Sequence, residues 1–211
     1  DGEIQLSEAL NTQNLDLRDR NIFSLIGIEF FTNLNILNCT RNSISLLDLN
    51  SLTNLQKLYC NQNQLTNLNL INGLTSLKIL QCTNNQISSL NVSSLINLRW
   101  LDCFYNQISS LNVSGLVNLS KIQCFQNQLS TINVNGLTNL ETLYCSDNQL
   151  VNLNVSSLPN LKYLDCKNNQ LSTLNVNGCT NIINLYCENN QLTTLDVSGL
   201  YNLLSLICRN N

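Results

Sequence analysis

Apolar residues recur along this chain in one fixed pattern, separated by polar positions that vary. From Leu161 it reads LKYLDCKNNQLSTLNVNGCTN and then IINLYCENNQLTTLDVSGLYN. The template is L-x-x-L-x-C-x-x-N-x-L-x-x-L-x-V-x-x-L-x-N, with its first Leu at position one. Position four is Leu37, Leu58, Leu80, Leu101, Ile122, Leu143, Leu164, Leu185 and Leu206. Position six is Cys39, Cys60, Cys82, Cys103, Cys124, Cys145, Cys166, Cys187 and Cys208, spaced 21 residues apart except for one gap of 22. Apolar residues at four and six alternate with variable ones at three, five and seven, the two-residue period of a strand with one buried face. One such strand cannot hide its leucines alone. The period therefore predicts a solenoid of stacked turns sharing one core, with strands paired parallel and in register. Nine strands at ~4.8 Å spacing make a ladder roughly 40 Å long.

The rest of each unit carries apolar residues at eleven, fourteen, sixteen and nineteen. These return segments are short and rich in Ser, Thr and Asn, which predicts extended or 3₁₀ pieces rather than α-helix. Position nine is Asn in all nine copies, from Asn42 to Asn211. Its amide, turned inward at the strand exit, would satisfy loop backbone groups otherwise buried unpaired. At the front, Leu15 and Leu17 stand where Leu and Cys recur, and Arg20 replaces the Asn. Residues 1–33 are therefore expected to form an N-terminal cap with a short helix over Ser-Glu-Ala-Leu, and 34–211 the solenoid. No comparable change marks a C-terminal cap. With Asp1 first and no Met, the chain is expected to be a processed piece, with further repeats or domains after Asn211 in the parent.

The repeat resembles the leucine-rich repeat family, L-x-x-L-x-L-x-x-N-x-L, with Cys at the third apolar site. The likeness covers roughly residues 12–211. The segment SLIGIEFFTNL and the TNL and GL endings look like bacterial cell-surface members such as the internalins. The resemblance implies a curved solenoid with its sheet on the concave side, an extracellular or cell-surface location, and binding rather than catalysis.

The tenth cysteine, Cys179, falls on position nineteen, so all ten are expected in core slots, where Cys behaves as a small hydrophobe. Stacked cysteines have Cβ atoms about 4.8 Å apart, beyond the roughly 3.5–4.5 Å that a disulfide wants. No C-x₂-C and no His supports a zinc site. Many free thiols suit a reducing compartment, against the surface likeness; sealing them in the core removes the conflict. With 43% apolar residues, 11% charged and a net charge of −3, the chain has no basic stripe for nucleic acid and no membrane-length apolar run. The opening DGEIQLSE matches the second half of an EF-hand-type calcium loop. Asp1 and Glu8 would be ligands, Gly2 the turn and Ile4 the buried residue, but the first half is missing. The competing expectation is a turn leading into the capping helix.

Variation is concentrated in the strands. Of fifteen charged residues from Leu34 onward, only Asp48 and Asp196 lie away from them. Eight of twelve aromatics occupy outward positions: Tyr59, Trp100, Phe104, Tyr105, Phe125, Tyr144, Tyr163 and Tyr186. Trp100, Asp102, Phe104, Tyr105 and Phe125 should meet within two adjacent units, and Tyr144, Tyr163, Asp165 and Tyr186 should form a second cluster beside them. Such exposed rings with a few charges are typical interface anchors; sheet propensity and cross-strand stacking also favour rings on strands. The absence of His, the inward thiols, and an Asp102–Asp165 separation near ~14 Å argue against catalysis. The expected function is a non-enzymatic module, without cofactor or metal, that recognises a protein, peptide or glycan on the concave face. Two rivals are an inert stalk within a larger surface protein, and recognition of ice or crystalline polysaccharide by the opposite Ser/Thr/Asn array, including Thr193 and Thr194. Sequons such as Asn91-Val-Ser arise from the repeat itself.

Overall fold

Parallel pairing in register is what equal spacing demands, because any slip of one residue would turn a row of leucines outward. A computed structural model describes residues 4–156 and 158–211. Each unit contributes a three-residue strand. One parallel sheet takes, in order, Asn14–Asp16, Ile36–Asn38, Lys57–Tyr59, Ile79–Gln81, Trp100–Asp102, Lys121–Gln123, Thr142–Tyr144, Tyr163–Asp165, Asn184–Tyr186 and Ser205–Ile207. Leu58 pairs with Leu80, Leu80 with Leu101 and Leu101 with Ile122, so position four forms one buried column. The front turn, through Leu15, adds a tenth strand to the nine that carry cysteine.

Beyond each strand, the Cys amide donates to the next turn's carbonyl, as from Cys39 to Tyr59 at 2.9 Å and Cys60 to Gln81 at 2.8 Å. The thiols do the same more weakly: Cys60 Sγ lies 3.4 Å from the Gln81 carbonyl. All ten cysteines are free. Nine are buried, and Cys208 is exposed, which corrects the expectation that every cysteine is sealed. Cys208 lies in the last turn, where no further turn of this chain covers the core; Leu206 beside it is 39% exposed.

The position-nine asparagines close each strand exit. Asn127 Nδ2 donates to the carbonyls of Cys103 (3.0 Å), Cys124 (3.1 Å) and Phe125 (3.3 Å), while its Oδ1 accepts from Ile108 N–H at 2.9 Å. The amide thus fastens its own turn and the preceding one. A second asparagine column, at position twenty-one of the template, has a related role. Asn97 and Asn118 show the role, each donating to the preceding turn's carbonyl, Thr75 at 2.9 Å and Ile96 at 3.0 Å.

Return segments are largely irregular, with two short parallel ribbons, Ser89–Asn91 with Ser110–Asn112 and Asn152–Asn154 with Thr173–Asn175. A 3₁₀ turn at Asn69–Ile71 absorbs the one extra residue of the 22-residue unit and puts Ile71 fully in the core. At the front, the helix Leu6–Asn11 buries Ala9. Glu8 Oε2 accepts from Gln5 N–H at 2.8 Å, so this carboxylate caps the helix. Ile4 is 68% exposed, contrary to the buried place that the calcium-loop reading gives it. Asp1 and Gly2 lie outside the described residues.

Asn127→Ala removes a buried partner from three carbonyls and one amide. It should lower unfolding free energy by ~2–4 kcal/mol, read as a lower urea midpoint, whereas the exposed Thr193→Ala should stay within about 0.5 kcal/mol of wild type.

Candidate functional site

Positions three, five and seven of adjacent strands tile the outer face of the ten-stranded sheet. Trp100, Asp102 and Phe104 lie along one strand, with Lys121, Gln123 and Phe125 beside them on the next. Trp100 Nε1 donates to Asp102 Oδ1 at 2.6 Å and Gln81 Nε2 donates to Oδ2 at 2.9 Å. With its amide oriented to satisfy both neighbours, Gln123 donates to Asp102 Oδ1 at 3.1 Å and accepts from Lys121 Nζ at 3.2 Å. Lys121 Nζ also sits 4.2 Å above the Trp100 ring. Asp102, one of the expected outward contacts, is on this face but only 5% exposed. Burial pushes its carboxyl above the ordinary range, and the Trp100, Lys121 and Gln81 contacts oppose that. Its carboxylate joins Trp100 to Gln81 and Gln123 on the neighbouring strands.

Phe104 and Phe125 stack, with centroids 4.3 Å apart and planes 10° from parallel. Tyr105 meets both edge-on, at 5.5 and 5.6 Å. Its backbone is left-handed, φ +53°, as is position eight in every turn from Asp19 to Asn210. The C-terminal turns use Asp147, Asn168, Asn189 and Asn210 there, residue types whose short polar side chains suit this conformation. An aromatic in that conformation costs on the order of 1 kcal/mol, so the strain sits where the rings converge.

The second cluster adjoins the first, since the Phe125 turn pairs directly with the Tyr144 turn. Asp165 lies in register between Tyr144 and Tyr186, with Tyr163 on its own strand. Lys167 Nζ is 3.3 Å from Asp165 Oδ2, and the Lys167 amide donates to Oδ1 at 3.3 Å. Burial raises the Asp165 carboxyl, Lys167 opposes the shift, and Glu188 adds to it. Burial, then the Asp165 charge, raises the Tyr144 phenol. Tyr59 stands apart, lining a hollow of about 370 Å³ with Arg18, Arg41 and Gln81. The rings other than Tyr105 are half-buried rather than fully exposed. Residues that sequence reasoning missed are Gln81, Gln123 and Lys121; the available signal was a column in which an aspartate is flanked in register by two glutamines.

Asp102 and Asp165 stand three strands apart in one column, so they do not form a carboxylate pair. The buried thiols are held protonated: desolvation pushes Cys39, Cys124 and Cys187 up to about 12. A further cleft of about 830 Å³, lined mainly by apolar residues such as Leu6, Leu15, Ile26 and Phe30, lies at the front. No helix among the described residues is long and apolar enough to cross a membrane.

Ten parallel strands in register, a buried leucine column and an asparagine at nine of the ten exits define a leucine-rich-repeat solenoid. Residues 53–95 and 138–178 match the family model of Leucine Rich repeats (2 copies). The chain is similar to the functional domain of InlJ from Listeria monocytogenes, described as including a cysteine ladder, at 31% identity and TM-score 0.75, covering 96% of this chain and 50% of that one. Internalin C2 from the same species is 28% identical with TM-score 0.76, over 96% and 84% of the two chains. YopM from Yersinia enterocolitica is 31% identical with TM-score 0.74, over 84% and 38%. The chain thus spans half the length of the InlJ structure and less of YopM. None of the curated proteins compared matches it. The repeat and its solenoid are those of leucine-rich-repeat proteins, and the chain is similar to internalins.

Two outcomes follow for the site and the thiols behind it. Replacing the strained ring with the residue other turns use, Tyr105→Asn, relieves about 1 kcal/mol of strain but removes two edge-on contacts of similar worth, so the urea midpoint should stay close to that of wild type. A thiol reagent at pH 8 should label one group quickly, Cys208, and ten after unfolding. Because the buried thiols' folded pKa values are raised, their stabilisation is complete below about pH 9. It is lost as pH rises from there toward 12, at ~1.4 kcal/mol per pH unit for each thiol that ionises on unfolding; urea midpoints between pH 8 and 10 should fall accordingly.

Proposed function

We propose that this chain is a non-enzymatic binding module, carried on the cell surface or secreted, that takes a protein, peptide or glycan on the concave, aromatic side of the solenoid. The observation that carries this reading is the stacked Phe104–Phe125 pair with Tyr105 against it. Three rings held by one another and by strand backbone lose little freedom when a ligand covers them, so more of the contact energy appears as affinity. Trp100, locked by Asp102, extends the platform across the strand. Tyr144, Tyr163, Asp165 and Tyr186 continue it, and Tyr59 marks a separate, more charged end. Residues 1–33 serve as the cap and 34–211 as the reading surface. The likeness to internalins supports the surface location, and nine sealed thiols are compatible with an oxidising exterior.

Position seven is Thr83 before the two phenylalanines and Ser146 after them, so the fold already accommodates small polar residues there. The double variant Phe104→Thr, Phe125→Ser should fold with a similar urea midpoint. Peptides selected from a displayed random library on the wild-type chain should bind it at least about tenfold more weakly. Equal binding by the double variant, or no selectable peptide or glycan, would favour the inert-stalk alternative.

A further inference from the structure

We infer that the sheet face holds a cation subsite at Asp165 and Glu188, suited to an arginine side chain of a protein or peptide partner. The inference rests on the binding reading above and names the chemistry of one part of it.

Asp102 and Asp165 occupy the same grid position three turns apart, each with an aromatic residue two places before it, and their surroundings differ. Asp102 is satisfied by Trp100, Gln81 and Gln123, all neutral donors. Asp165 has one ammonium, that of Lys167, and one backbone amide. On the next turn, two residues beyond Tyr186, Glu188 is 9% exposed, and its Oε2 is sealed from solvent with no hydrogen-bond partner. An unpartnered carboxylate oxygen in that state destabilises the face unless a donor arrives. Its column neighbours Lys167 and Arg209 make no ion pair with it among the described residues; Lys167 pairs with Asp165. With Lys167 committed to Asp165, Glu188 Oε2 is the carboxylate oxygen of this patch left without a donor.

Tyrosines surround this patch. Tyr144 and Tyr186 flank Asp165 in register and Tyr163 precedes it on the strand, and ring faces attract cations. Asn184 Nδ2 donates to the Tyr186 hydroxyl at 3.1 Å, which fixes that ring. A guanidinium meets both demands at once: its planar fork bridges carboxylates and its face stacks on rings, which an ammonium does less well. Asp165 lies two strands along its column from Gln123, which adjoins the phenylalanine stack. That is about 10 Å, or roughly three residues of extended peptide. The partner segment would then carry an apolar and a basic residue about three apart.

The probe is arginine amide, titrated against the ¹⁵N-labelled chain, with the uncharged citrulline amide as its shape-matched control. Saturable shifts at Tyr144, Asp165, Tyr186 and Glu188 are expected with arginine amide, about tenfold weaker with citrulline amide. Glu188→Gln should keep the unfolding midpoint or raise it, and weaken arginine amide about fivefold. Lys167→Met, which frees Asp165, should tighten it. Equal response to both amides, or unchanged affinity in Glu188→Gln, overturns the subsite. The two readings fail separately. If library peptides bind through Phe104 and Phe125 but ignore Glu188→Gln, the cation subsite falls alone. If arginine amide saturates as expected while no peptide is selected, the subsite stands and the peptide-partner reading falls.

Discussion

Everything in this solenoid depends on closing each turn without leaving backbone polar groups stranded in an apolar column. A three-residue strand is too short to satisfy its own exit, and the chain must reverse direction at once. The position-nine asparagine resolves this by presenting donor and acceptor together: Asn127 bridges Cys103, Cys124 and Phe125 on one side and Ile108 on the other. Because those partners sit in two turns, the side chain also sets the stacking distance. The left-handed residue just before it completes the bend, and the second asparagine column ties the far corner. Leucines and thiols then fill a space whose dimensions hydrogen bonds have already fixed.

That division of labour leaves the outer sheet positions free of structural duty, and they vary accordingly. The two aspartates show how differently one grid point can be used. At Asp102, neighbouring amides and an indole absorb the charge and turn it into rigidity. At Asp165, the neighbours are rings and a single lysine, so one ion pair and one backbone amide meet the charge. The aromatic stack between them lies over the best-satisfied part of the face, where Trp100 and Lys121 also pack.

Most of the fold was legible because it depends on periodicity. Leu58, Leu80 and Leu101 could be aligned by counting, and the inward turn of the asparagines followed from the need to satisfy backbone at every exit. The composition of the two ring clusters was also legible, since columns of a parallel in-register sheet can be read directly from the repeat. Side-chain direction was not. Nothing in the order of residues says that Asp102 is nearly covered, because its cover comes from Gln81 and Gln123, each 21 residues away, and from the rotamer of Trp100. Cys208 was misplaced for the converse reason: a repeat pattern describes a turn as if both neighbours were present, and the last turn has only one.

The 22-residue unit has a consequence for how such a surface can change. Its additional residue is taken up by a 3₁₀ turn at Asn69–Ile71, on the side away from the strands, and Lys57, Leu58 and Tyr59 still pair in register with Ile79, Leu80 and Gln81. Length errors are thus tolerated at the back while the front keeps its alignment. Duplication or loss of whole units during gene recombination could then lengthen or shorten the reading frame of the face by single strand widths, leaving the side chains already selected on neighbouring strands undisturbed.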